Sequence, residues 1–132
     1  MAVGAKSAFN APFEPFLYET CYLPVPVAGQ EQEAVAQMKK YLENADEIAA
    51  FIFEPLIQGA GGMVMYEPEV LEELIALAKD KGVITIADEI MTGFGRTGKW
   101  FAMDYLQQKP DIVCLSKGLT GGMMALGVTV CS

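Results

Sequence analysis

The chain is 132 residues long, 52% of them hydrophobic, with 17 acidic and 9 basic residues giving a net charge of −8. That balance argues against non-specific binding to nucleic acid or to an anionic membrane surface, both of which need basic residues. Histidine is absent, so triads and zinc sites built on it are excluded, and chemistry falls to Lys, Asp, Glu or a cofactor. No metal is expected.

The three cysteines, Cys21, Cys114 and Cys131, are odd in number and widely spaced in apolar surroundings. This predicts reduced, packed thiols and a cytoplasmic setting. No targeting segment is expected. The uncharged stretch from Gly118 to Ser132 is too short and too glycine-rich to span a bilayer. The closing run ALGVTVCS has no helix after it, which leads us to expect an internal segment with both ends cut from a longer domain.

Residues 1–29 are predicted to be an irregular lead-in broken by Pro12, Pro15, Pro24 and Pro26, with one strand in FLYETCYL. Residues 30–132 should alternate helices and strands. From Glu31 to Ala45, apolar residues at Ala34/Val35, Met38, Tyr41/Leu42 and Ala45 follow helical spacing. The run IAAFIFE (48–54) reads as a buried strand, followed by a glycine-rich loop, QGAGGM, at 58–63. A helix is predicted from Pro68 to Lys81, with Pro68 at its first position, acids crowding its start and Gly82 ending it. VITIADE (83–89), DIVCLSK (111–117) and ALGVTV (125–130) read as further strands, with a short helical stretch at 101–107. The alternation implies an α/β fold with a mainly parallel sheet flanked by helices.

Ligands of open α/β sheets bind beyond the carboxyl ends of the strands. Glu54, the Asp88–Glu89 pair and Lys117 lie at such ends. A lysine at the edge of a desolvated pocket has a lowered pKa and can form a Schiff base with an aldehyde. If that aldehyde is pyridoxal phosphate, a carboxylate on the ring nitrogen keeps the ring protonated as an electron sink. The bland alternatives are a turn or cap for the acids and a solvated amine for the lysine. A rival lies in Gly93-Phe94-Gly95-Arg96-Thr97-Gly98, which matches the dinucleotide fingerprint G-x-G-x-x-G of nicotinamide-dependent oxidoreductases. Its context fits poorly, because Asp88-Glu89-Ile90-Met91-Thr92 come before its first glycine and Lys99-Trp100 follow it.

The stretch ADEIMTGFGRTGKWFAMDYLQQKPDIVCLSKGLTGG, Ala87 to Gly122, resembles the class III (fold type I) pyridoxal-phosphate-dependent aminotransferases. The resemblance covers residues 48–130 well and the first 45 only loosely. FEPLIQGAGGM (53–63), the tyrosine of MYEP and SKGLTGGMM are most similar to the subgroup of biotin biosynthesis, which moves an amino group from S-adenosylmethionine to 8-amino-7-oxononanoate. The other class III transaminases, acting on ornithine, acetylornithine or 4-aminobutyrate, are the alternative.

The resemblance implies the central part of a large cofactor-binding domain and amino-group transfer by a ping-pong route. It makes Lys117 the Schiff-base lysine and general base, Asp88 the partner of the pyridine nitrogen, and Ile90 a residue packed on the ring. Glu54 and Gln58 fall in the segment that approaches cofactor and substrate. It also implies a homodimer acting on a small-molecule amino donor and keto acceptor. Family members are longer; they add a Gly-Ser turn and an aromatic for the cofactor, a threonine from the partner subunit, and an arginine for the substrate carboxylate. None of these can be placed in this sequence, so the chain alone is expected to be inactive, with raw sheet edges and an exposed apolar face.

Overall fold

The computed structural model describes residues 2–4, 7–8 and 10–131. A four-stranded sheet, in the order β1-β4-β5-β6, organises the fold. Strands β1 (Ala50–Phe53), β4 (Ile84–Asp88) and β5 (Ile112–Leu115) run parallel, and β6 (Val128–Cys131) closes the sheet antiparallel to β5. A small antiparallel hairpin, β2 (Ile57–Gln58) and β3 (Val64–Met65), occupies the loop after β1.

Two α-helices pack beside the sheet, one preceding β1 and the other joining the hairpin to β4. Helix α1 (Glu31–Tyr41) has Glu31 and Glu33 in its first turn and Lys39 and Lys40 in its last, which favours the helix dipole at both ends. Helix α2 (Pro68–Asp80) begins on Pro68 and stops at Gly82, which adopts φ +71. There the Val83 N–H donates to the Ala78 carbonyl and the Gly82 N–H to the Lys79 carbonyl, the paired bonds of a Schellman cap.

The spacing read from the sequence marks the buried faces of both helices. Ala34, Val35, Met38 and Leu42 pack with Val70, Leu71, Leu74, Ile75 and Ala78, over Phe53, Val83 and Ala87 of the sheet. Alternation along β4 puts Val83, Thr85, Ala87 and then Glu89 on this helix-covered side, and all four are buried. Ile84, Ile86 and Asp88 take the other face, where Ile84 is exposed.

Several expectations need correction. FLYETCYL forms no strand: a 3₁₀ helix covers Ala11–Phe16, and the following residues pair with no ladder partner. The first helix ends at Tyr41 rather than Ala45, because Asn44 leaves helical geometry (φ −117, ψ 51) and Leu42–Glu47 tightens into 3₁₀ turns. The stretch at 101–107 narrows to a single 3₁₀ turn, Ala102–Tyr105. Loop 58–63 is not wholly irregular, since its flanks zip into the β2–β3 hairpin. Helices flank the mainly parallel sheet as expected, with α2 packed on β4 and α1 on α2. Cys21 and Cys131 are exposed and Cys114 is half-buried, so the thiols are free but not packed.

Candidate active site

The carboxyl ends of β1, β4 and β5 lie side by side, because Phe53 registers with Ala87 and Asp88 with Cys114. Glu54, Asp88 and Lys117 sit at these ends, with Ile90 two residues beyond β4 and Gln58 on the β2 strand of the hairpin. Glu54 follows β1 directly, Asp88 ends β4, and Lys117 comes two residues after β5.

The end of β1 is a local polar cluster. Glu54 Oε2 accepts the Gly59 N–H at 2.8 Å, which folds the glycine-rich loop back over the carboxylate. Gly59 fits closely there: a Cβ would stand 3.1 Å from both Glu54 Oε2 and the Met91 Cε. Buried Tyr66 donates its hydroxyl proton to the Glu54 carbonyl. Burial holds the Tyr66 hydroxyl far above the usual tyrosine range; the Glu54 carboxylate adds to this, while hydrogen bonds involving the Leu56 backbone and the Gln58 side chain oppose it. Gln58, half-buried on β2, therefore belongs to the Glu54–Tyr66 cluster.

At the end of β4 the two neighbouring acids separate. Asp88 is half-buried, and its Oδ1 accepts the Ile90 N–H at 3.0 Å. Among the described residues, its other oxygen has no hydrogen-bond partner. Glu89 is fully buried on the helix side. Its Oε1 accepts the Met103 N–H at 2.7 Å and its Oε2 accepts the Thr92 hydroxyl, while its carbonyl accepts the Gly93 N–H at 2.9 Å. Glu89 thereby ties both ends of the 92–103 loop to the sheet. Sequence reasoning grouped it with Asp88 and missed this task; the available signal was the threonine three residues on, within reach of a side-chain hydrogen bond.

Lys117 is exposed, and among the described residues its amine makes no hydrogen bond or ion pair. Its backbone is left-handed (φ +40) and opens a single 3₁₀ turn, Lys117–Leu119. This break matters for the geometry. Cys114 registers with Asp88, so strict alternation would send Lys117 to the face opposite Asp88. Ser116 (φ −162, ψ −150) and Lys117 abandon the strand, which frees the lysine from that alternation. No hydrogen bond joins Lys117 to Glu54, Gln58, Asp88 or Ile90 among the described residues.

The G-x-G-x-x-G reading is overturned. Residues 91–101 form turns and bends, and no α-helix begins at the loop, so no helix N-terminus is aimed at a pyrophosphate. The glycines instead serve packing. A Cβ on Gly93 would stand 2.9 Å from the Glu89 carbonyl oxygen, and Gly95 and Gly98 adopt φ +89 and +97. Two surface depressions lie elsewhere, one along Leu42–Glu47 and Lys81, the other between Ser7, Glu14, Tyr18 and Tyr22. Among the described residues, no helix is long and apolar enough to cross a membrane.

Known proteins resemble this chain in sequence and in fold. The adenosylmethionine-8-amino-7-oxononanoate aminotransferase of Synechococcus elongatus is 49% identical over 138 residues, covering 98% of this chain and 32% of the relative. A solved structure of the enzyme of the same name from Methanocaldococcus jannaschii superposes with a TM-score of 0.80 at 36% identity, over 94% of this chain and 31% of that one. An (S)-enantioselective omega-transaminase from Thermomicrobium roseum gives a TM-score of 0.78 at 35% identity, over 93% of this chain and 31% of that one. The chain thus spans about a third of the length of these relatives. The family model for aminotransferase class III matches residues 1–132, and the chain belongs to that family.

Proposed function

We propose that this chain is an internal segment of the large cofactor-binding domain of a transaminase, and that the whole protein transfers amino groups with pyridoxal phosphate. One observation carries the reading: Asp88 and Lys117 lie at the carboxyl ends of adjacent parallel strands, each with a polar atom unengaged. The donor set suits the group, since a primary amine binds an aldehyde and a carboxylate holds a proton on a pyridine nitrogen. The cofactor, when bound, supplies an electron sink for the carbon that loses its proton.

The chain's own residues divide the remaining work. Lys117 would hold the cofactor aldehyde through its amine and, as a free amine, would serve as the general base that moves the substrate proton. Asp88, fixed by the Ile90 N–H, holds the ring-nitrogen proton. Ile90, half-buried two residues on, offers an apolar contact to the ring. Glu54 and Gln58, ordered by Gly59 and Tyr66, supply polar groups beside the cofactor and substrate.

The relative from Synechococcus elongatus supports a finer assignment by its name: S-adenosylmethionine as donor and 8-amino-7-oxononanoate as acceptor. The likeness to the omega-transaminase, nearly as high in TM-score, favours a second reading as a transaminase of other amines. Borohydride reduction of the full-length protein, followed by peptide mass spectrometry, tests the cofactor assignment. A pyridoxyl group on Lys117 is expected, and its absence overturns the reading. Turnover with S-adenosylmethionine against ornithine, 4-aminobutyrate and simple amines then separates the two substrate classes.

A further inference from the structure

The glycine-rich loop at 92–99 has no place in the chemistry above, yet it touches the lysine's turn. A Cβ on Gly118 would stand 2.8 Å from Phe94 Cδ2, 2.9 Å from its Cβ and 3.1 Å from its Cγ. No real side chain tolerates such distances, so the Phe94 ring lies flush against the backbone next to Lys117. Phe94 is itself held in place. Its backbone is left-handed (φ +64), and its ring meets Phe101 edge-on at 5.6 Å and 65°. On either side, the Gly93 N–H donates to the Glu89 carbonyl at 2.9 Å and the Gly95 N–H to the Trp100 carbonyl at 3.1 Å.

The lysine turn is closed by backbone bonds of mixed length: the Leu119 N–H donates to the Ser116 carbonyl at 3.0 Å, while the Thr120 N–H reaches the Lys117 carbonyl and the Gly121 N–H the Gly118 carbonyl at 3.3 Å each. The Lys117 side chain is exposed and unpaired among the described residues. A left-handed non-glycine residue persists only where its surroundings over-determine it. The Phe94 ring, packed against Gly118, adds a side-chain contact to these bonds.

We propose that Phe94 is a positioning residue for Lys117, acting through Gly118. The buried Glu89 anchors the loop, the loop presents Phe94, and the ring sets the turn from which the amine projects. This rests on the assignment of Lys117 as the cofactor lysine. Reach to the cofactor depends on the turn, and a displacement of an ångström at a reacting group can cost about 10²-fold in rate.

The test uses the full-length holoenzyme and the visible band of its lysine–cofactor adduct, titrated with pH. Phe94→Ala is expected to lower kcat by roughly 10-fold or more with KM within about twofold, because orientation is lost while binding groups stay. It is also expected to move the pH midpoint of the band by about half a unit or more, a change that loss of stability alone would not produce. Phe94→Tyr keeps the ring and should restore both. Gly118→Ala should impair the intact enzyme more than it impairs Phe94→Ala, where the clashing ring is gone. An unchanged midpoint in Phe94→Ala, or additive effects in this double-mutant cycle, overturns the inference. If Phe94→Ala yields no folded holoenzyme, the midpoint in Gly118→Ala decides: a shift supports the coupling and an unmoved midpoint overturns it. A wild-type protein lacking the band and any trapped Lys117 adduct would instead remove the cofactor assignment itself.

Discussion

Thr85 and Asp111 clamp β4 to the entry of β5 with four hydrogen bonds. Asp111 Oδ2 accepts the Thr85 N–H at 2.8 Å and its hydroxyl at 2.7 Å. In return, the Asp111 N–H donates to the Thr85 carbonyl at 3.0 Å and lies 3.2 Å from Thr85 Oγ1. Thr85 is fully buried. The clamp sits at the amino end of β5, so it sets the register on which the opposite, carboxyl ends depend.

The clamp makes stability depend on acid pH. Hydrogen bonds from the Thr85 hydroxyl and N–H, with a smaller contribution from Lys79, hold the Asp111 carboxyl below its usual range. A depressed folded pKa means the stabilisation is complete above the unfolded value of about 4 and is lost as pH falls through the folded value. Asp111→Ala also strands a buried N–H and hydroxyl, which should cost about 1–3 kcal/mol at neutral pH. In denaturant titrations of the full-length protein, the wild type should lose its advantage over the variant below about pH 4.

Glu89 predicts a larger effect. Replacing it with Ala leaves the Met103 N–H and the Thr92 hydroxyl without an acceptor in a fully buried site, at a cost of about 3–5 kcal/mol. Glu89→Gln keeps an acceptor for Met103 and can donate to Thr92, so it should cost about 1–2 kcal/mol. Chemical denaturation distinguishes them. Equal losses would mean that the side-chain shape, which glutamine keeps, does not hold the loop and that both carboxylate oxygens are needed as acceptors.

Substitutions at the strand ends should separate covalent anchoring from electronic support. Lys117→Ala should abolish the borohydride-trapped pyridoxyl peptide. Asp88→Asn should keep the trapped adduct while lowering turnover by about 10²–10³-fold, the range for removing one preorganised electrostatic group. Peptide mass spectrometry and steady-state rates read the two separately.

The 132-residue chain alone should associate in solution. Ile52, Ile84, Met123, Met124, Leu126, Val128 and Val130 are exposed, and β1 and β6 are open sheet edges. Light scattering should show species larger than a monomer. Placing lysine at Val128 and Val130 should shift the population toward monomer, since charge on an edge strand opposes pairing. It should show no transaminase activity in either form.

The sequence by itself determined the helices and core strands whose apolar spacing is self-consistent. Helix α2 was legible to within one residue because Pro68, the buried stripe and Gly82 all mark the same element. The chemical types at the strand ends were legible too, since Glu54, Asp88 and Lys117 follow apolar runs that read as core strands. What tertiary structure decided was orientation. Asp88 and Glu89 are adjacent acids, and only the placement of both helices on one face sends Glu89 into the core and leaves Asp88 half-open. Lys117 escapes strand alternation because a left-handed turn follows β5, and no local pattern announces that turn in a non-glycine residue. FLYETCYL has strand-like composition but no partner, because a strand is defined by its ladder and not by its own residues. Local propensity is written into neighbouring residues, whereas register, face and close approach depend on segments distant in the chain, which only the folded contacts bring together.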